Sequence, residues 1–420
     1  MGRIVAYSLT FLLGIYTAWT ISKAYLVDRQ LNKLLLGAGP QSQSLTFDPE
    51  DASYHYLLGR YFQYTPLMRD LKKAEVSYSN AILLNPVKAE HWVDLARVKE
   101  AIGDTIDAEK AINRAVVLKP TGLNIHWETA NFRLKRGEIK KALRGFRYIA
   151  SNYPGERHKV YPLIWLSAKG DMEIILKEAI ANEDWAKIDY LWYLIARKQK
   201  KEAKALWTIV SDTNIQSPIR HRYIDRLISW GDIADAKKEW EDTKGIKNDP
   251  NNLLWNKGFE ESETLNRGFD WRIGMVKGAD IKVDDKKAKE GSHSLRINFS
   301  GKENVDFAHV FQIVPLEPET RYILTASIMT ADITTTNGIK IDFFGITGCK
   351  FYAATESVTG TNTWKKLKVE ITTPKDCTAG RVRIRRNKSS KFNNLIDGTA
   401  WIDDFRLEKH DITGKKQRVL

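Results

Sequence analysis

The stretch GTAWIDDFRLE, residues 398–408, decides how the second half of this chain is read. It sets Asp403 beside Asp404 inside a run that otherwise alternates like a β-strand. Paired carboxylates invite an acid/base reading. On a strand, however, neighbouring side chains point to opposite faces, so the two cannot flank one scissile bond. Six more alternating runs precede it: SLRINFSG (294–301), FAHVFQIVPL (307–316), RYILTASIMTAD (321–332), IKIDFFGI (339–346), WKKLKVEITTP (364–374) and GRVRIRRN (380–387). Strands at this spacing, with turn residues between them, predict an antiparallel β-sandwich over residues 252–410.

The opening NLLWNKGFEE (252–261), then Trp271, AKEGSHSLRINFSG (288–301) and the runs just named down to GTAWIDDFRLE carry a specific layout. It resembles a carbohydrate-binding module of the galactose-binding-like jelly-roll type, close to families 4, 9 and 22. The resemblance implies a sugar ligand and no catalysis. It also implies a structural calcium held by a carboxylate near the first strand and one on the last, for which Glu260 and Asp404 are the candidates; a salt bridge or plain solvent exposure are the alternatives for both. Trp271, Trp364 and Trp401 match tryptophans that are structural in such modules and are expected in the core.

The sugar-contacting residues are argued from side-chain chemistry. In GRVRIRRN, Val382 and Ile384 point one way and Arg381, Arg383 and Arg385 the other. Three guanidiniums in a row favour a carboxylated, phosphorylated or sulfated sugar, because the planar fork pairs with such anions. Phe344 and Tyr352 are the stacking candidates beside that strand. The alternative is a row of solvated arginines.

The first half has a different period. Pro86, Pro120 and Pro154 lie 34 residues apart, as do Gly103 and Gly137, and Ala108 and Ala142. Each unit reads as two antiparallel helices, AEHWVDLARVKEAIG (89–103) followed by DTIDAEKAINRAVVLKP (104–120), with proline closing the second. Trp92, Leu95, Ala96, Ala108, Ala115 and Pro120 resemble the signature of the tetratricopeptide repeat (TPR). The first unit carries about three extra residues between Gly59 and Ala74. The resemblance implies a solenoid over residues 53–245 with a concave surface for a protein or peptide partner. By register with the family, that groove carries Tyr56, Arg60, Gln63, Arg97, Trp127 and Asn131.

At the N-terminus, residues 4–22 are uncharged and long enough to span a bilayer as a helix, with Tyr16 and Trp19 near one end. The expectation is a retained anchor within residues 1–36, followed by a linker at 37–52. It is single-pass in the inner, cytoplasmic membrane, with the bulk of the chain periplasmic. Residues 246–251 read as a second linker and 411–420 as a basic tail. The net charge of +14 favours anionic partners, and export argues against nucleic acid among them. Cys349 and Cys377 could form one disulfide or remain two buried thiols. No glycine-rich phosphate loop, nucleophile elbow or paired-histidine motif occurs.

The expected fold class is therefore multidomain α + β: transmembrane helix, α-solenoid, jelly-roll sandwich. The expected role is a non-catalytic membrane-anchored scaffold joining a protein partner to a glycan, of the kind found in bacterial envelope polymer assembly. The rival is a polysaccharide hydrolase or its accessory subunit.

Overall fold

The computed structural model describes residues 50–211, 216–243, 249 and 251–410. The chain divides into two compact units, residues 1–213 and 214–420.

In the first unit, α1 (Ala52–Tyr64) is capped by Asp51, and α2 (Leu71–Leu84) by Asp70. Each carboxylate accepts N–H groups that the first helical turn leaves without partners. Then follow α3 (Ala89–Ile102), α4 (Thr105–Leu118), α5 (Leu123–Lys135), α6 (Ile139–Asn152) and α7 (Arg157–Ser167). The starts of α2, α4 and α6 keep the proline period. The small residues Ala96, Ala108, Ala115, Ala130 and Ala142 are wholly buried. Gly103 ends α3 at φ 95°, a left-handed position that a residue with a Cβ resists. The extra residues of the first unit become a separate 3₁₀ turn, Pro66–Met68, between α1 and α2. A short helix, α8 (Met172–Ile174), runs into a π turn, Ile175–Ala179, before α9 (Asp184–Ala196) and α10 (Lys200–Ser211).

The expected single-pass placement in the inner membrane is corrected here. Among the described residues no helix is long and apolar enough to cross a membrane. The apolar run at residues 4–22 on which that placement rested lies outside them, as does the basic tail at 411–420.

The second unit opens with a helix pair, α11 (Ser217–Trp230) and α12 (Ile233–Glu241), and continues into two five-stranded antiparallel sheets. Sheet A has the order β1 (Arg272–Ile273), β4 (Phe307–Pro315), β9 (Ala379–Arg386), β6 (Lys340–Gly345), β7 (Tyr352–Ala354). Sheet B has β2 (Ala279–Asp284), β3 (Ser294–Ser300), β10 (Asp397–His410), β5 (Arg321–Ile333), β8 (Gly360–Thr372). Inward residues of both sheets form one core, including Leu295, Ile297, Ile341, Phe343, Val382, Ile384, Ala400 and Ile402. Trp271 is wholly buried, 4.5 Å from the ring of Phe405. Trp401 is buried as expected but outside the inter-sheet core: Ala400 and Ile402 take the inner face, and its ring lies on the other face, under Lys287 at 3.9 Å and bonded through Nε1 to Asp284 at 2.9 Å. Trp364 is only half-buried. Cys349, after β6, and Cys377, before β9, form a disulfide.

The helix pair packs on the sandwich. Asp225 of α11 accepts the N–H of Gly268 at 2.8 Å and pairs with Arg272 of β1. Trp240 of α12 meets Trp255 at 5.7 Å and Phe269 at 6.2 Å, edge to face.

Candidate functional site

The outer face of sheet A is assembled by strand register. On β9, Val382 and Ile384 are buried, so Arg381, Arg383 and Arg385 emerge on the other side. Phe344 of β6 stands opposite Arg381 and, on its other flank, opposite Tyr352 of β7. Tyr352 is 61% exposed, which leaves its ring free to stack. The five sugar candidates therefore share one surface, with Tyr352 one strand beyond Phe344. The alternation missed Phe311 of β4, which lies opposite Arg383. Its signal was masked, since the polar Gln312 takes the buried face beside Val310 and leaves the apolar Phe311 on the outer one.

The charges on this face are not three equal cations. Arg383 donates from Nε at 2.9 Å and Nη2 at 2.6 Å to the two oxygens of Asp342, which is wholly buried beside it on β6. Arg385 pairs with Asp306 and donates to the carbonyls of Phe307 at 2.9 Å and Arg386 at 3.0 Å. Arg381 instead lies over Phe311, 4.4 Å from its ring centre, and 5.9 Å from that of Phe344. Burial, and then the charge of Arg383, pull Arg381 below its ordinary value. Neither aspartate could be placed by reading one strand at a time, because cross-strand register is not a local signal.

The two calcium candidates are held elsewhere. Glu260 accepts the N–H groups of Ser292 at 2.8 Å and His293 at 3.0 Å, and its other oxygen lies 2.6 Å from His293 Nδ1. Burial raises this carboxyl, yet those bonds outweigh it and hold the group below its usual value. Asp404 accepts from Arg406 Nε at 2.8 Å. A calcium site needs oxygen lone pairs converging on one point. Here Glu260 is taken up by hydrogen-bond donors, and Asp404 is shared between the Arg406 guanidinium and the Glu290 carboxyl. Among the described residues no group of three or more His, Cys, Asp or Glu side chains is placed to hold a metal.

The Asp403–Asp404 question also resolves. The register of β10 against β5 shifts between Asp403 and Arg406, and Asp404 has a φ of 49°. A bulge rather than clean alternation separates the pair. Asp403 is enclosed and accepts the N–H groups of Lys289, Glu290 and Asp404. Burial raises its carboxyl.

In the helical unit, Tyr56, Arg60 and Arg97 line one cleft of about 250 Å³ together with Glu90, Asp94 and Glu128. Tyr56 donates to Asp94 at 2.7 Å, and Arg97 to Asp94 at 2.8 Å and to Glu128. Arg60 lies 5.7 Å from the Tyr64 ring. Gln63 is turned away to accept from Tyr78 at 2.7 Å. Trp127 packs on Phe146, and Asn131 donates to the Trp127 carbonyl at 2.9 Å. These last two are α5 residues outside the lining of that cleft.

Residues 251–391 match the carbohydrate binding domain family. No curated protein matches the chain. Among solved structures, the tailspike protein 4 enzymatically active domain of bacteriophage CBA120 is similar at 10% identity over 38% of this chain, with a TM-score of 0.28. The match spans 21% of that tailspike. A family 4 carbohydrate-binding module is similar at 15% identity over 37% of this chain and 99% of its own length, TM-score 0.27. A xylan-binding domain of family 22 is similar at 18% identity over 38% of this chain and 96% of its own, TM-score 0.26. Residues 251–391 of the C-terminal sandwich are thus similar to a carbohydrate binding domain, and a helical region precedes them in the chain.

Proposed function

We propose that this chain is a non-catalytic glycan-binding protein whose sugar site is the outer face of sheet A and whose helical unit holds a protein partner. The observation that carries the first part is the row of Phe311, Arg381, Phe344 and exposed Tyr352 on a domain of the carbohydrate-binding family. Aromatic faces stack on pyranose rings while a few polar groups fix the hydroxyls.

For the helical unit, the recurrence of paired helices supports a TPR-like solenoid, and the Tyr56–Arg60–Arg97 cleft supports a peptide site. The hydrolase reading needs an accessible carboxyl of raised pKa. The carboxyls held above their ordinary value among the described residues are Asp270 and Asp403, and both are fully enclosed. That favours binding over hydrolysis.

A glycan array with the full chain, alongside Phe344→Ala and Tyr352→Ala, tests the sugar site. We expect at least one bound glycan whose signal falls about fivefold or more in each variant, since an aromatic stacking contact is worth about 1 kcal/mol. Retained signal in both variants removes sheet A as the site. New reducing ends from any bound polysaccharide would instead establish the enzyme.

A further inference from the structure

We propose that the glycan bound by sheet A carries a carboxylate, and that Arg381 is the residue that reads it. This rests on the outer face of sheet A being the sugar site. The three arginines of β9 divide two to one. Arg383 is neutralised by a two-pronged bond to Asp342, and Arg385 by Asp306 and two carbonyls. Arg381 has no carboxylate partner and no hydrogen bond among the described residues, and its Nε is buried without an acceptor. A guanidinium whose Nε has lost water without gaining an acceptor carries a cost that a ligand can relieve.

The geometry specifies which anion. Phe311 and Phe344 flank the guanidinium, 4.4 Å and 5.9 Å away, and fix its position while leaving its donors unspent. A guanidinium fork of this kind matches the two coplanar oxygens of a carboxylate. Arg381, Phe344 and Tyr352 follow one another across three neighbouring strands. At about 4.8 Å between strands, Tyr352 lies roughly 10 Å from Arg381. A sugar stacked on Tyr352 would therefore bring the substituent of an adjoining residue to Arg381. The chemistry is that of a uronic-acid-containing polysaccharide.

The test is affinity electrophoresis of the full chain in gels containing polygalacturonate or alginate, the carboxyl-reduced form of each, and dextran sulfate. Wild type is compared with Arg381→Gln, Arg381→Lys and Tyr352→Ala, each shown to keep the thermal unfolding midpoint of the second unit. We expect a carboxylated polymer to bind at least about tenfold more tightly than its reduced form, the scale of one charge-assisted bond. Arg381→Gln should bring that ratio close to one, and Arg381→Lys should lose most of it because the fork is gone. Tyr352→Ala should weaken both forms alike. A preference that came only from the net charge of +14 would persist in Arg381→Gln and fade with salt. Equal binding of acid and reduced forms, a ratio unchanged in Arg381→Gln, or tighter binding to dextran sulfate overturns the inference while the sugar site stands. Absence of binding to every polymer, with Tyr352→Ala indistinguishable from wild type, overturns both.

Discussion

Gly268 has a φ of +47°, and a Cβ built on it would come within 2.2 Å of the Trp240 ring. Both the backbone region and the close approach therefore demand glycine. Gly268→Ala should lower the stability of the second unit by about 2–4 kcal/mol, combining left-handed strain with overpacking. Urea unfolding followed by tryptophan fluorescence reads it. Two residues on, Asp270 is enclosed and accepts from Thr264 at 2.6 Å, Asn256 at 3.1 Å and the N–H of Trp271 at 2.6 Å. Burial still wins and raises its carboxyl to about 6. A folded value above the unfolded one means that the native state keeps a proton the unfolded chain has released. The stability this confers is full below pH 4 and is lost as pH rises to 6. The loss is on the order of 3 kcal/mol. Asp270→Asn removes this slope, so wild type minus variant should fall with rising pH across that window. A difference that stays flat, or rises, contradicts the assignment.

At the scale of elements, β9 shows what was legible in the sequence and what was not. Its alternation announced Val382 and Ile384 as core and the three arginines as outward, and the sheet keeps that division. The aspartates that neutralise two of those arginines come from β6 and from the residue before β4, and no single strand encodes its neighbours. The same distinction holds for the helical unit. Pro86, Pro120 and Pro154 exposed the period, while the 3₁₀ turn at Pro66–Met68 was visible only as surplus length. The bulge at Asp404 was hidden, because a one-residue slip leaves no mark in composition. The disulfide was one of two readings left open by residue count. It ties the turn after β6 to the turn before β9, the two strands that carry Phe344 and Arg381, across a sequence separation of 28. Closing a loop of that length restricts the unfolded chain by about 3–4 kcal/mol. A Cys349→Ser, Cys377→Ser double variant should lose about that much stability, and wild type under a strong reductant should show the same loss. Matching denaturation midpoints for oxidised and reduced protein would show that the bridge constrains nothing.

For the whole molecule, the boundary that matters is the one between helices and sandwich. The family match begins at residue 251, yet the compact unit begins at 214 and takes α11 and α12 with it. The reason is physical. Trp240 is 3% exposed, enclosed by His221, Trp255 and Phe269, and Asp225 neutralises Arg272 on the edge strand of sheet A. Next to that contact, α12 faces Pro315, Leu316 and Thr378 around a cavity of about 410 Å³, at the end of sheet A where β4 finishes and β9 begins. The helix pair thus buttresses the strands that present Phe311 and Arg381. A fragment of residues 214–420 should unfold in one cooperative transition. A fragment beginning at 251 uncovers Trp255 and Phe269 and leaves Arg272 without its carboxylate, so its melting temperature should fall by several degrees. Trp240→Ala in the full chain isolates the packing contribution, and removing a buried tryptophan costs about 3–5 kcal/mol. Calorimetry of the three proteins decides the matter: equal midpoints for the two fragments would mean that the helices merely adjoin the sandwich, whereas a drop matched by Trp240→Ala makes them part of the sandwich's own architecture.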